Sequence, residues 1–141
     1  MAVLANKVVL EKAKILLNRF IMGQKEIKCI FAFGSRVKGR FKKDSDLDLG
    51  IIFDVSVSFD KALKTCAKLE SFLSRELGIE VDVTPLNFSD LLFAYIAIKD
   101  AIFMAGDEMF YYTFKSQILR KFFDFKRLLR VHQKRLEELF T

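Results

Sequence analysis

The sequence predicts an α/β fold of the α+β kind, in which helices flank a small mixed β-sheet. Three short apolar runs have the character of strands, and longer segments of helical periodicity separate and follow them. The chain has one Pro and no Ser/Gly-rich stretch, so nothing marks a linker. Because 141 residues is also the usual size of one domain, we expect a single domain over residues 1–141 that ends in a long amphipathic helix.

The strands are predicted from apolar, β-branched runs of suitable length. The first covers Ile27 to Phe33, the second Leu47 to Phe53, and the third Ile79 to Thr84, where Pro85 closes it. The run from Ala101 to Met104 is too short to assign. These three strands make up the predicted sheet.

Three helices are predicted from apolar residues spaced three or four apart. The first runs to about Gly23, the second covers Phe59 to Leu77, and a short third one follows the capping pair Ser89-Asp90 to about Lys99. Gly78 stands where a C-cap is expected. The apolar stripes of the first two helices comprise Leu4, Val8, Ile15, Leu16 and Phe20, and then Leu63, Ala67 and Phe72.

A fourth helix is predicted from about Tyr111 to Phe140, with at most one break. Its spacing favours a stripe that completes the core, and docking of a partner on surplus aromatic surface is the alternative. Basic residues on its other faces are most simply solvated. The stripe contains Phe114, Ile118, Phe122, Phe125, Leu129, Leu136 and Phe140.

Composition excludes several classes of protein. Apolar residues make up 52% of the chain, which is too many for disorder, yet no apolar run approaches the roughly 18 residues of a membrane span. We therefore expect a soluble, cytoplasmic protein. Cys29 and Cys66 lie in apolar stretches and are expected to be buried thiols, and a lone His132 argues against a zinc site. The net charge of +6 favours polyanions without choosing among them.

The residues that carry chemistry lie around the first two strands. Gly34 and Ser35 end the first strand, and Asp46 and Asp48 open the second. Residues two apart on a strand face the same side, so both carboxylates project together while Leu47 enters the opposite layer. Two such charges in a half-buried sheet are costly unless a cation neutralises them, and a hard divalent ion such as Mg²⁺ does this best.

Two further residues would complete this candidate metal site. Gly50, next on the same face, is expected to leave open space for a ligand above the sheet. Asp82 lies within a β-branched run, and three carboxylates converge if its strand lies beside the second one. Such a triad suits two-metal phosphoryl or nucleotidyl transfer. Pairing of Asp82 with a nearby Lys is the structural alternative, and Glu80 is its rival on the same strand face.

The turn after the first strand has the features of a phosphate site. Gly34 lets backbone approach a phosphate closely, and the N–H groups that follow it offer an anion site beside the Ser35 hydroxyl. Arg36, Lys38 and Arg40 add positive charge. The residues predicted to carry chemistry thus fall into a metal-binding group and a phosphate-binding group.

Two other ligand-binding motifs do not fit. A calcium loop needs Gly directly after its third acidic residue and Glu at its twelfth position, where Leu49 and Val55 stand. A P-loop needs Lys and then Ser or Thr, where Arg40 and Phe41 stand. Neither motif is therefore assigned.

The spacing of Gly34-Ser35, ten further residues and Asp46-Leu47-Asp48 resembles the signature of the polymerase-β-like nucleotidyltransferase superfamily. The small size and a looser likeness through the C-terminal helix resemble its minimal nucleotidyltransferases, the MNT proteins. The basic loop at 40–43 departs from them, since relatives more often carry small or polar residues there, and it leaves the nucleotide and the acceptor open. Further features of the resemblance are Arg36, Gly39, Ser45 and the strand Val81-Asp82-Val83.

This resemblance implies a nucleotidyltransferase fold and specific roles for the site residues. Asp46, Asp48 and Asp82 would be the catalytic residues that bind two Mg²⁺ ions, and Asp82 would also accept the proton of the nucleophile. ATP would be the substrate. The residues that would contact the nucleotide are Gly34, Ser35, Arg36 and Ser45.

The resemblance also implies a partner. Many MNT proteins are antitoxins that pair with a HEPN-domain ribonuclease toxin and attach AMP from ATP to one of its tyrosines, so a hetero-oligomer with such a toxin is expected. Two alternatives remain, namely a non-catalytic antitoxin that occludes its toxin and a nucleotidyltransferase that acts on a small-molecule hydroxyl. Direct binding of nucleic acid is the least supported, and no membrane partner is expected.

Overall fold

The computed structural model describes residues 2–39 and 46–140, with side chains from residue 6 onward in the first range. It contains five α-helices, four strands and one 3-10 turn within those residues. Along the chain these are α1 (Ala2–Phe20), β1 (Ile27–Phe33), α2 (Ser35–Lys38), β2 (Leu47–Phe53), α3 (Phe59–Leu77), β3 (Val81–Pro85), the 3-10 turn Leu86–Phe88, α4 (Leu91–Ile98), β4 (Ile102–Gly106) and α5 (Glu108–Phe140).

The four strands form one mixed sheet in the order β3-β2-β1-β4. β1 runs antiparallel to both β2 and β4, whereas β2 and β3 are parallel. A parallel pair needs a crossover connection, which α3 supplies. The predicted fold class, a small mixed sheet flanked by helices, is therefore confirmed, while the assignment of one domain stays a prediction.

Each face of the sheet is covered by a different pair of helices. α1 and α3 cover one face with Leu17, Leu69 and Leu73, which pack on alternate residues of the strands. α4 and α5 cover the other face, where Ile98 and Tyr111 are among the buried side chains. The two central strands, β1 and β2, are thus buried on both sides, which explains their nearly continuous apolar sequences.

Side chains at the starts of the helices define where those helices begin. Ser58 accepts a hydrogen bond from the Lys61 amide at the start of α3, and Asp90 accepts one from the Phe93 amide at the start of α4. Each bond satisfies an amide that has no partner within its own helix. Of the predicted capping pair Ser89-Asp90, Asp90 is the N-cap of α4. Gly78, where a helix end was predicted, is the C-cap of α3.

The predicted apolar faces of the first two helices are only partly right. In α3 the buried residues are Ala62, Thr65, Cys66, Leu69 and Leu73, whereas Leu63 and Ala67 are exposed and Phe72 is half-buried. In α1 Val8 and Ile15 are exposed, and Ala13, Leu16 and Leu17 form the buried face. Both helices have apolar residues on more than one face, so spacing alone did not select the face that meets the sheet. Leu4 lies among residues whose side chains are outside the described set.

Two strand assignments also need correction. β3 begins at Val81 rather than at Ile79, because the residues after the Gly78 cap first connect the helix to the sheet. The run left unassigned near Ala101 is an edge strand, β4 (Ile102–Gly106), which pairs with β1. Its short sequence carries little strand signal, and pairing with β1 is what stabilises it.

The last helix is longer and less buried than expected. α5 begins at Glu108, where Asp107 accepts a hydrogen bond from the Phe110 amide, and it continues without a break to Phe140. Only its first part packs on the sheet, through Tyr111 and Ile118. Residues 123–140 are all exposed, so the prediction that the stripe completes the core is wrong beyond Phe122.

Two polar side chains complete the hydrogen bonding of the sheet. Asn87 accepts from the Phe53 amide at 2.7 Å and donates to the Phe53 carbonyl at 2.9 Å, which satisfies the end of β2. Glu70 of α3 accepts from the Val83 amide on the edge strand β3 at 2.8 Å.

Both cysteines are buried free thiols, as predicted. In the described ranges, no helix is long and apolar enough to cross a membrane.

Two leucines of α3 test which face of this helix supports the fold. Leu69→Ala should lower the free energy of unfolding by about 2–5 kcal/mol, because Leu69 is fully buried and its truncation leaves a cavity. Leu63→Ala, the matched control on the same helix, should change it by less than about 1 kcal/mol, because Leu63 is 43% exposed. Urea unfolding of both variants measures the difference, and equal losses would contradict the assigned face.

Candidate functional site

The parallel pairing of β2 with β3 brings two of the predicted aspartates side by side. Asp48 on β2 is paired with Asp82 on β3, and Asp46 lies two residues before Asp48. Leu47 and Leu49 are buried in the core beneath α1 and α3, so Asp48 projects from the opposite face. Asp46 and Asp48 are half-buried and Asp82 is exposed. The strand register therefore brings Asp48 and Asp82 side by side, as the sequence predicts if β3 lies beside β2.

The electrostatics of Asp48 reflect this crowding. Burial raises the pKa of its carboxyl above the ordinary value of 3.8, and the charges of Asp82 and then Asp46 raise it further. Within residues 2–39 and 46–140, no ion pair joins Asp82 to a Lys or Arg. The structural alternative in which a lysine balances Asp82 thus has no support in the described chain.

The turn at Gly34 lies directly against the Asp48 carboxylate. Gly34 has a φ of +82° and precedes Ser35, the first residue of α2. A Cβ atom at Gly34 would overlap Oδ2 of Asp48. Both the left-handed backbone and the close approach require glycine here. The turn predicted to bind phosphate therefore adjoins Asp48, one of the aspartates predicted to bind metal.

An aromatic layer forms the floor of this site. Phe33 is paired with Asp48 across β1 and β2, and its ring meets Phe93 of α4 edge-on. The ring of Phe31 fills the space over Gly50, where any Cβ would overlap it. The expectation that Gly50 leaves room for a ligand is therefore wrong. The missing side chain makes room for Phe31, which packs on Tyr111 with ring centroids 5.7 Å apart.

Arg36 is buried and joins the turn to α1. Its Nη1 donates to Oδ1 of Asn6 at 3.0 Å, and Nδ2 of Asn6 donates back to the Arg36 carbonyl at 3.0 Å. Only 3% of Arg36 is exposed. This reciprocal pair fixes α2 and the Gly34-Ser35 turn relative to the first helix. Sequence reasoning gave no sign of Asn6, since the two residues are 30 positions apart.

A cleft of about 490 Å³ opens beside α2. It is lined by Val37, Lys38, Lys99 and Asp100, and the Lys38 ammonium lies 4.0 Å from the Asp100 carboxylate. Lys38 was predicted to add positive charge near the turn. Lys99 and Asp100 were missed, because nothing in the sequence indicates that the end of α4 lies beside α2.

Some predicted residues cannot be placed. Ser45 and the basic loop at 40–43 lie outside the described residues. Glu80, the alternative to Asp82, is placed: it is exposed, and its carbonyl accepts a hydrogen bond from the Leu47 amide at 2.9 Å.

In the described part of the chain, no group of three or more Asp, Glu, His or Cys side chains is arranged to hold a metal ion. The three aspartates therefore face one region without forming a closed set of ligands.

The fold is similar to that of chains in solved structures of toxin–antitoxin complexes. A chain of a toxin–antitoxin structure with AMP-PNP is 16% identical, with a TM-score of 0.64 over 91% of this chain and 97% of that one. A chain of the Shewanella oneidensis complex between a tri-AMPylated HEPN toxin and an MNT antitoxin is 12% identical, with a TM-score of 0.63 over 94% and 99%. A chain of the toxin–antitoxin MntA-HepT is 12% identical, with a TM-score of 0.62 over 93% and 99%. At these identities the likeness establishes the fold.

Sequence comparison identifies the family. No curated protein matches the chain. The sequence profile of the polymerase beta nucleotidyltransferase family, however, matches residues 16–108, which is more than half of the chain. The matched segment contains the whole four-stranded sheet, the Gly34-Ser35 turn and the three aspartates. The chain therefore belongs to the polymerase beta nucleotidyltransferase family.

Proposed function

We propose that this chain is a Mg²⁺-dependent nucleotidyltransferase that transfers AMP from ATP to a tyrosine of a HEPN-domain toxin and thereby acts as its antitoxin. The observation that carries the proposal is the register that pairs Asp48 with Asp82 beside the Gly34 turn. Family membership supports nucleotidyl transfer as the chemistry. The similar folds of chains from toxin–antitoxin complexes support the choice of partner.

The three carboxylates have the donor chemistry that suits a hard divalent ion, and a bound ion would have to draw their oxygens together, because in the described residues no three acidic side chains are arranged as a ligand set. Their oxygens are the donors that Mg²⁺ prefers, and a cation here would offset the burial and the charges of Asp82 and Asp46 that raise the pKa of Asp48. Asp46, Asp48 and Asp82 are the residues that would hold two such ions. When bound, Mg²⁺ would neutralise charge on the attacking and leaving oxygens.

The turn and α2 would bind the triphosphate. Gly34 allows its backbone to approach the phosphates, and the Ser35 hydroxyl can donate to a phosphate oxygen. Lys38 and Lys99, at the adjoining cleft, supply positive charge near the expected path of the nucleotide. Arg36 would act by holding the turn in place through Asn6, and Ser45 remains a candidate for contact with the nucleotide.

In the proposed reaction, the tyrosine oxygen of the acceptor attacks the α-phosphorus of ATP in line. The bond from that phosphorus to the bridging oxygen breaks, and pyrophosphate leaves. The exposed carboxylate of Asp82 takes the phenolic proton. The acceptor thus gains AMP through a phosphodiester bond to its tyrosine.

Labelled ATP, Mg²⁺ and a purified HEPN-domain partner toxin test this function. AMP should appear on a tyrosine of the toxin, and Asp46→Asn should slow its transfer by about 100-fold or more. Asp60→Asn, in the exposed first turn of α3, is the matched control and should leave transfer unchanged. Undiminished transfer by Asp46→Asn would refute the mechanism. An intact complex that never acquires label would instead favour the non-catalytic antitoxin.

Gly34→Ala tests the contact between the turn and Asp48. We expect AMP transfer to fall by about 100-fold, because the added methyl group displaces the Asp48 carboxylate. Gly23→Ala is the control, since Gly23 has a similar φ of +80° but no atom near an added Cβ. Gly23→Ala should lose roughly 1 kcal/mol of stability from its positive φ, and Gly34→Ala should lose more, because its added Cβ also overlaps Asp48. Equal transfer rates for the two variants would show that the contact has no catalytic importance.

Asp48→Asn should separate stability from activity. The folded-state pKa of Asp48 is raised, so its contribution to stability is fully present below the unfolded value near 3.8 and is lost as pH rises through the folded value. In EDTA at pH 7, urea unfolding should find the Asn variant at least as stable as the wild type, although AMP transfer is lost. Adding Mg²⁺ should raise the melting temperature of the wild type alone. A variant less stable than the wild type in EDTA would contradict this account of the site.

A further inference from the structure

The outer half of α5 extends away from the rest of the chain. Phe122 is the last apolar residue of the stripe to pack, with its ring stacked on Tyr95 of α4 at a centroid distance of 3.7 Å. Residues 123–140 are all exposed. At 1.5 Å per residue, they extend for about 27 Å. A helix of this length with large apolar side chains on its surface is unusual unless another molecule covers it.

Four exposed apolar side chains continue a line that begins at the half-buried Phe122, and we call this line the distal seam; other exposed apolar side chains, Phe123, Leu128, Val131 and Phe140, lie outside it. It consists of Phe122, Phe125, Leu129, Leu136 and Leu139. With His132 between Leu129 and Leu136, successive positions alternate between three and four residues apart. That spacing keeps side chains on the strip of helix surface that faces a second helix in a coiled coil. The seam is therefore shaped for an amphipathic helix rather than for a flat surface.

The flanks of the distal seam are basic. Lys121 and Arg135 lie directly beside it on one side, with Leu128 between them, and Lys126 lies beside it on the other, so every charged residue next to the seam is basic; Arg130 and Glu137 lie one row further out. A second copy of this helix would place basic flanks against basic flanks in either orientation, which opposes self-association. A helix with acidic flanks would gain attraction on both sides. The charge pattern thus favours an acidic partner over a second copy.

Nucleic acid is a weaker match to the same surface. Phosphates would be attracted to the basic side chains, but they offer nothing apolar to cover the leucines and phenylalanines between them. A cleft of about 310 Å³ also opens at the inner end of the seam, where Phe114, Ile118 and Lys121 help to line it. An apolar side chain at the end of a docked helix could enter this cleft.

We propose that the distal seam docks an amphipathic helix of the toxin partner, whose apolar face is bordered by Asp and Glu side chains. The identity of the partner rests on the proposed function, whereas the chemistry of the surface rests on α5 itself. Docking at this end would leave the aspartates of β2 and β3 uncovered by the seam contact. The acceptor tyrosine would then be presented by another part of the bound toxin.

Leu129 and Val131 provide a matched pair of variants. Both side chains are 47% exposed, and they lie two positions apart, hence about 200° apart around the helix. Leu129→Glu should weaken the complex with the purified HEPN toxin by about 30-fold or more, and Val131→Glu should not weaken it measurably. Circular dichroism of both variants should match the wild type, since neither residue packs on the body of the chain. Equal affinities of the two variants for the toxin would overturn the proposal.

A synthetic helical peptide tests the surface without the toxin. A peptide with Leu along one face and Glu on both flanks should bind the wild type and the Val131→Glu variant, and binding should weaken as salt is added. Its counterpart with Lys flanks should not bind. If both peptides bind alike, or if Leu129→Glu binds the Glu peptide as well as the wild type does, the assignment of an acidic partner is wrong.

The remaining outcomes separate this proposal from its competitors and from the proposed function. A wild-type dimer that dissociates only in Leu129→Glu would assign the seam to a second copy and overturn the proposal. RNA binding that is lost in Lys126→Glu but kept in Leu129→Glu would assign this surface to nucleic acid and would also overturn the proposal. If the toxin binds through the seam but acquires no AMP, the docking site stands and the catalytic function fails. If Leu129→Glu still binds and modifies the toxin, the function stands and the docking site fails.

Discussion

The parallel pairing of β2 with β3 is the constraint on which the rest of the structure depends. It sets Asp48 beside Asp82, and it requires the α3 crossover that covers one face of the sheet. The same two strands bury Leu47, Leu49, Val81 and Val83 on the opposite face. Burial of these side chains offsets the repulsion among the carboxylates, so one register stabilises the fold and assembles the charges.

The site also depends on what lies beneath the aspartates. Phe31 and Phe33 form an apolar floor, and Tyr111 of α5 packs against Phe31. Burial raises the pKa of Tyr111 to about 12. The Asp48 carboxylate beside these rings is half-buried, and its burial is the first cause of its raised pKa. Gly50 contributes by making room for the Phe31 ring. The apolar floor therefore disfavours the ionised form of Asp48, and a bound cation would stabilise that form.

The sequence predicts most of what local chemistry determines. The bounds of β1, β2 and α3 match the structure, because their apolar runs are bounded by turn and capping residues such as Ser58 and Gly78. The spacing from Gly34-Ser35 to Asp46 and Asp48 identified the region in which the turn and carboxylates meet. Asp82 was predicted as a site residue because it is a charged residue inside a β-branched run. Only the structure shows that its strand pairs with β2.

Long-range packing is what the sequence left undetermined. The Asn6–Arg36 pair and the approach of Lys99 to α2 join residues far apart in the chain, so no local spacing signals them. The sequence predicted open space for a ligand above Gly50, but Phe31 of another strand fills that space. The stripe of α5 has the same period whether it is buried by its own chain or left for another molecule, and periodicity alone therefore could not tell where the core ends.

The hydrogen bond between Glu70 and the Val83 amide bears on how this chain can associate with others. An edge strand with unpaired amides is a template for adding a foreign strand, and such addition is a common route to aggregation. Because a side chain of α3 already occupies this amide, β3 is a poor acceptor of another β-segment. Growth of the sheet beyond β3 is therefore opposed at the middle residue of that strand.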